Sequence, residues 1–445
     1  MATDIEETAH SVDAASVMKL VPHRPRLLAL GEPTHGEDAL LELRNDLFRQ
    51  LVEQEGYRTI AIESDCLMGL VVDDYVTSGT GSLDDAMAHG ISHDWGAFAG
   101  NRELVRWMRD HNDGRPASEQ LRFAGFDGPL EITAAASPRQ ALTALHGFLS
   151  ARMDTNLLPC TADTLDRLLG TDGRWTEPAA MMDPSRSTGR SPEAGELRVL
   201  ADDLAALLDE QMPHLLAEST AEEWERARLY ARTATGLLRY HHWMADTSPA
   251  RLTRLVSVRD QMMARNLLAL ADRGPVFVHA HNGHLQREKS SMRMGGDRLE
   301  WWSAGALVNA RLGADYAFVA TALGTIRHRG VDTPPPDTVE GMLYALPQQS
   351  SVIDPARLAT TLGDTSPAPR VSPWFGYASL DPAHLSAIDG IVFVKDVARG
   401  WHEPCEGALV RERTPPDPVR SPVHRPCECD ARSGSRGLRQ GKHDQ

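Results

Sequence analysis

Short apolar runs alternate with helical patterns through the first third of the chain. Residues 26–30 read as a strand, 37–54 as a helix, 59–62 as a second strand, 102–111 as a helix and 121–126 as a third strand. This alternation of strand and helix predicts a mostly parallel sheet flanked by helices, the α/β class. From about 138 to 271 the periodicity is almost wholly helical, with long amphipathic segments at 197–211 and 221–244. A loop rich in Gly, Pro, Ser and Arg interrupts it at 171–195. We read 138–271 as a large helical insertion between sheet strands. The sheet resumes at 275–278, 316–321 and 391–394.

This pattern gives a lead-in at 1–24, one catalytic domain at 25–413 and a tail at 414–445. The tail is rich in Pro, Arg, Ser and Gly and poor in apolar residues, which predicts disorder. The pair Cys427 and Cys429 in it is half a metal site at best. No internal repeat stands out.

The 445 residues carry a formal net charge of -16, with 41% hydrophobic and 24% charged residues. Those are ordinary values for a globular chain with a sizeable core. The acidic balance argues against nucleic acid as the main partner, because a polyanion needs a basic face. The acidic start has no apolar run of a signal peptide, and no stretch is apolar enough to span a bilayer. Five scattered cysteines, Cys66, Cys160, Cys405, Cys427 and Cys429, fit a reducing compartment better than a disulfide framework. The expectation is a cytoplasmic protein with a small-molecule partner and no membrane contact.

Chemistry-bearing residues fall at four predicted strand ends. These are Glu32 and His35 in Gly31-Glu32-Pro33-Thr34-His35-Gly36, Glu63 in Glu63-Ser64-Asp65, Asp127, and His279, His281 and His284. In an open parallel sheet the carboxyl ends of the strands form the ligand crevice, so residues distant in sequence meet there. Thr34 with Glu37 three residues later reads as a capping box. That would put His35 in the first helical turn, where the helix dipole disfavours a protonated imidazole and leaves a neutral base. Taken alone, His35 reads as a solvated loop histidine; the neighbouring carboxylates shift the reading to the base.

Arg44 shares a helical stripe with Leu40, Leu47 and Leu51, so it needs a carboxylate, with Glu32 or Glu63 the natural partner. Snorkelling past the stripe's edge is the alternative. Arg259 and Asn266 share a later stripe with Met263 and Leu270, which suggests a supporting polar layer or a purely structural network. The three histidines with Glu32 and Glu63 are a conceivable divalent metal set, although the spacing matches no established zinc signature. No cofactor is the primary expectation. Cys66 reads as a small buried residue, since nearby carboxylates raise a thiol pKa. No Gly-x-Ser-x-Gly elbow, P-loop or dinucleotide fingerprint is present.

Taken together, these residues resemble the erythromycin esterase family. The likeness runs through Gly31–His35 and Arg44, 60–65, Trp95 with 102–112, 123–127, Arg259-Asp260 with Met263, Ala264 and Asn266, and His281-Asn282-Gly283-His284. It spans roughly residues 25 to 400. The resemblance implies hydrolysis of a carboxylic ester or macrolactone such as that of a 14-membered macrolide. Water would be activated by His35, with Glu32, Arg44, Glu63, His281 and His284 as its catalytic neighbours. Asp127, Trp95, Arg259, Asn266 and His279 would line or support the site. The family leaves metal dependence open. Two other readings fit the same residues: a tailoring enzyme of secondary metabolism catalysing cyclisation, elimination or deacylation, and a metal- or haem-binding protein.

Overall fold

The structure is a computed structural model, and it describes residues 9–131, 134–294, 296–363, 366–372, 374 and 376–398. The expected disordered tail at 414–445, with Cys427 and Cys429, lies outside the described residues, as does Cys405 before it.

Among the described residues, eight strands form the main sheet. They are β1 (Ala9–His10), β2 (Leu27–Glu32), β3 (Thr59–Asp65), β4 (Arg122–Asp127), β5 (Val276–His281), β6 (Tyr316–Thr325), β7 (Ser350–Ile353) and β8 (Gly390–Asp396). Their order is β1-β7-β8-β6-β2-β5-β3-β4. The six strands from β8 to β4 are mutually parallel, and β7 runs against β8. The expected parallel sheet is therefore present, with an antiparallel strand and a separate hairpin, Lys289–Met294 with Asp297–Trp302, that the pattern did not reveal. The lead-in supplies the edge strand β1.

The central strands are apolar on both faces, as a sheet covered by helices requires. Leu28, Leu30, Ile60, Ile62 and Phe277 enter one core, shared with Phe48, Leu51, Val105 and Met108. Those last residues belong to α1 (Asp38–Glu55) and, beyond α2 (Gly69–Ser78), to α3 (Ala99–Asn112). Leu27, Ala29, Ala61, Val278 and Ala280 enter the other, with Met263 and Leu267. The insertion leaves the sheet after β4 and returns at β5. It contains helix Arg139–Ser150, α4 (Pro192–Glu210), α5 (Ala221–Met244) and α6 (Arg251–Ala271), with its own leucine-rich core. The loop at 171–195 is largely single 3-10 turns. No helix among the described residues is long and apolar enough to cross a membrane.

The order of connections places the crevice. From β2 the chain steps outward to β3 and β4, then returns through the insertion to β5, between β3 and β2. This reversal is a topological switch point, where ligands bind beyond the carboxyl ends of the strands.

Candidate active site

The four predicted strand ends converge at that switch point. In register, Leu30 pairs with His279 and Glu32 with His281, and Ile62 pairs with His279 from the other side. Strand alternation thus puts His279 and His281 on one face. Beyond Ile62 the β3–β4 register shifts, a bulge that re-aims Glu63.

The turn after β2 departs from the expected capping box. The helix starts at Asp38, with Glu37 as an extended N-cap whose side chain makes no cap bond. The Thr34 hydroxyl is buried without a protein partner. The reason is Gly36, whose φ of +78° is the left-handed region and where a Cβ would sit 2.9 Å from Phe98. A chain turning there cannot carry a helix from Thr34. Glu37 instead faces His328 and Arg329, at 3.1 and 3.3 Å. His35 therefore lies in the loop, and the helix dipole does not set its protonation.

Carboxylates set it. Nδ1 of His35 is 2.7 Å from Glu32 Oε1, and Nε2 is 4.0 Å from Glu63 Oε1. Burial opposes the charge on His35, but Glu63 and Glu32 outweigh it and raise its proton affinity above the ordinary histidine value. Its side chain is 34% exposed against 3% for Glu63, so His35 is the member that meets solvent. The Trp95 ring lies against it, 4.5 Å between centroids.

Glu63 is the hub. Its Oε1 receives Arg259 at 3.0 Å and lies 3.3 Å from His284 Nε2, while Oε2 accepts the backbone N–H of His281 at 2.9 Å. Burial pushes this carboxyl up, but His284, His35 and Arg259 together hold it well below the usual range. Arg259 also binds Asp127 Oδ2, at 2.7 and 2.9 Å. Behind it, Asn266 donates to the Phe126 carbonyl at 3.0 Å and so fixes the end of β4. The polar stripe on α6 is this support.

The imidazoles differ in charge. His284 Nδ1 is 3.0 Å from Asp260. Burial lowers the proton affinity of His284, and Asp260 with Glu63 reverses that and lifts it to about 9. Burial takes His279 and His281 down to about 4. The Gly283 N–H donates to Nδ1 of His281, which leaves that ring's own hydrogen on Nε2. His281 sits between the other two, 5.2 Å from His35 and 6.4 Å from His284 by ring centroid. Asn282 beside it ties β5 to Thr321 of β6 and packs onto Gly31, where any Cβ would clash at 2.0 Å.

Arg44 corrects an expectation. It is 1% exposed, as its stripe predicts, but pairs with neither Glu32 nor Glu63. It donates to Asn45 Oδ1 and Asn101 Oδ1 at 2.8 and 2.9 Å, and burial lowers its pKa to about 10. Two neutral amide oxygens fill the hydrogen-bonding places of a carboxylate, and Glu32 and Glu103 act on the guanidinium only through space. Cys66 is buried, and its thiol is pushed up to about 12 by burial with help from Asp65.

Two residues had no role in the sequence reading. Asp260 lies on the stripe of Ala264, Leu267 and Ala271, the same anomaly that exposed Arg44, and it also accepts from Trp301 and the Ala304 N–H. His93 gave no periodic signal. Its Nδ1 is 2.5 Å from Glu131 and its Nε2 3.8 Å from Asp127, and its ring lies 4.9 Å from Trp95. His93 and Asp94 both have positive φ, 60° and 58°, a strained pair of non-glycine residues beside the site.

Among the described residues, no three His, Cys, Asp or Glu side chains converge tightly enough to hold a metal ion. Glu63 already faces a guanidinium, an imidazole and a backbone N–H, so the donor set fits a divalent cation poorly.

The sequence profile of the erythromycin esterase family matches residues 52–397. The chain belongs to the erythromycin esterase family. The matched stretch takes in Glu63, Asp127, Arg259, His281 and His284 and begins after Glu32, His35 and Arg44. Erythromycin esterase type II of Escherichia coli is 31% identical over 107 residues, 23% of this chain and 24% of that protein, so the alignment spans about a quarter of that relative. Three solved structures share the fold of this erythromycin esterase family member. A Bacillus cereus protein is 18% identical with a TM-score of 0.66, covering 89% of this chain and 97% of its own. A succinoglycan biosynthesis protein is 16% identical with a TM-score of 0.65, covering 89% and 96%. An erythromycin esterase mutant in its open conformation is 18% identical with a TM-score of 0.59, covering 85% and 92%.

Proposed function

We propose that the protein is a hydrolase that opens a carboxylic ester or macrolactone, a macrolide such as erythromycin being the first candidate, by attack of water activated by His35. The observation that carries this reading is the Glu32–His35 pair. Glu32 accepts the Nδ1 hydrogen, which leaves Nε2 free to take a proton from water, as the acidic member of a triad directs its histidine. The 4.0 Å between Nε2 and Glu63 Oε1 is a span one water bridges.

The remaining imidazoles divide the work by charge state, since titratable groups pushed apart in pKa take opposite roles. Neutral His281 offers Nε2–H to the carbonyl oxygen, and cationic His284 stabilises the oxyanion or protonates the departing alkoxide. Arg259 neutralises Glu63 and Asp127 and holds the hub in place. Arg44 borders the small cavity it shares with Glu32, Glu63 and His279, and its bonds to Asn45 and Asn101 tie α1 to α3. Every step is assigned to side chains of this chain, and none needs a metal.

The test is incubation of purified, chelator-treated protein with erythromycin, followed by mass spectrometry. Gain of one water by the wild type, absent in His35→Ala, supports the reading. No gain by folded wild type discards the macrolide, and no hydrolysis of any ester in a broader panel discards the hydrolase.

A further inference from the structure

A second cleft opens on the outer edge of β4, between α2, α5 and α6. None of Glu32, His35, Glu63 or His284 lines it.

The cleft has surplus positive charge. Arg122, Arg226, Arg232 and Arg273 line it, together with Asp73, Glu222 and Glu225. Each acid is already committed. Asp73 receives Arg122 Nε and the Phe123 N–H, both at 3.0 Å. Glu222 receives Arg226 at 2.7 Å, and Glu225 receives Arg228 at 3.1 Å. Arg226 also pairs with Asp74. Arg232 and Arg273 have no carboxylate partner among the described residues. Arg232, half-buried on α5, donates only through Nε, to Asn266 Oδ1 at 3.2 Å, so its terminal amino groups are left for something in the cleft. The rest of the wall is aliphatic, with Leu70, Leu229 and Leu270.

We propose that this cleft is a second ligand site, separate from the His35 site, for a small organic monoanion: a carboxylate head on Arg232, with Arg273 at the mouth, and an aliphatic body against Leu70, Leu229 and Leu270. A guanidinium forks onto a carboxylate through two N–H groups, which suits the unused end of Arg232. Burial with Arg228 nearby lowers the pKa of Arg232 to about 10, so a bound anion relieves a charge the protein leaves uncompensated. Asn266, which holds Arg232, also holds the Phe126 carbonyl. The head group is thus one side chain from the strand end that carries Asp127.

The test is calorimetric titration of the full chain with octanoate, and with 1-octanol as its neutral counterpart. Octanoate is expected to bind saturably and 1-octanol about tenfold more weakly, the value of one charge-assisted hydrogen bond. Arg232→Gln is expected to weaken octanoate by about tenfold or more. Arg273→Gln, at an exposed position that leaves folding intact, is expected to weaken it by about twofold to fivefold. Absence of octanoate binding to the wild type at millimolar concentration overturns the proposal. So does equal affinity for octanoate and 1-octanol, or undiminished affinity in both folded variants, which would place the binding elsewhere.

Discussion

Glu32 Oε1 stands 2.7 Å from Nδ1 of His35, and just past His35 the chain turns through Gly36 rather than continuing a helix. The base is therefore oriented by a carboxylate three residues upstream, on the last residue of β2. Removing His35 should cost turnover directly: His35→Ala is expected to lower kcat by about 100- to 10,000-fold, the usual worth of a general base. Glu32→Gln should give a smaller loss, because the amide still accepts or donates at Nδ1 but no longer stabilises the imidazolium. Steady-state kinetics with an unchanged circular dichroism spectrum checks both. A His35→Ala variant with near-normal kcat sinks the mechanism.

The charge states predict a bell-shaped pH profile. His35 must be neutral to accept a proton, and its affinity is raised, so kcat/KM should fall as pH drops through a limb placed above 6.5. His284 must be protonated, so activity should fall again as pH rises through about 9. The limbs belong to the coupled set around Glu63. His284→Gln should remove the alkaline limb. A wild-type profile that climbs past pH 10 without falling would reject the cationic role of His284.

Much of this site was legible because charged residues on apolar stripes and at strand ends are costly, and cost leaves a pattern. Arg44 betrayed its burial by occupying a leucine position. Glu32, Glu63, Asp127 and the three histidines stood at the ends of apolar runs. What the pattern did not carry was partner identity. Nothing in the spacing of Arg44 distinguishes Glu32 from Asn101, which lies on another helix. The Thr34-x-x-Glu37 box failed because a left-handed glycine sits inside it, whereas the same spacing at Thr220 and Glu223 does cap α5. His93 lies in an irregular segment with no period to violate, so only three dimensions reveal it. The fold followed the same rule: the buried apolar parallel strands were readable, and the antiparallel ones, short like β1 and β7 or largely polar like the 289–302 hairpin, were not.

His93 gives a prediction that separates positioning from structure. It bridges Glu131 and Asp127 and props Trp95 against His35. Burial disfavours its charge, yet Asp127 and Glu131 raise its pKa to about 9. His93→Gln keeps the size and a donor but loses the charge. It should shift the acid limb of kcat/KM and lower kcat by about tenfold, with the melting temperature nearly unchanged. A variant altered in stability alone would make His93 structural.

Arg44→Met tests the corrected role of Arg44. Met fills the space but strands Asn45 and Asn101 without their donor, at a cost of about 2–4 kcal/mol. The melting temperature should fall while kcat of the folded enzyme stays within about threefold of wild type. A large kcat loss with intact stability would return Arg44 to the reaction.

Acid stability follows from histidines held neutral. His279 and His281 at the site and His241 in the insertion are held from solvent, and burial lowers each from 6.5 to about 4. Below pH 6.5 the unfolded chain binds a proton at each of these positions that the folded chain refuses until pH 4. The unfolded state therefore binds more protons, and stability must fall as pH drops through that window. Three such protons give a slope of about 4 kcal/mol per pH unit. The raised groups His35 and His284 act differently: their contribution is complete below 6.5 and lost only as pH rises through their folded values, so they do not flatten this limb. The depressed carboxylates Glu32, Glu63 and Asp127 add their loss at lower pH still. Urea midpoints measured at pH 7, 5.5 and 4.5, about the span of this window, should fall steeply, and His241→Gln should remove about a third of the slope without touching activity at pH 7. A midpoint that stays level from pH 7 to 4.5 would mean that these imidazoles are not held neutral in the folded chain.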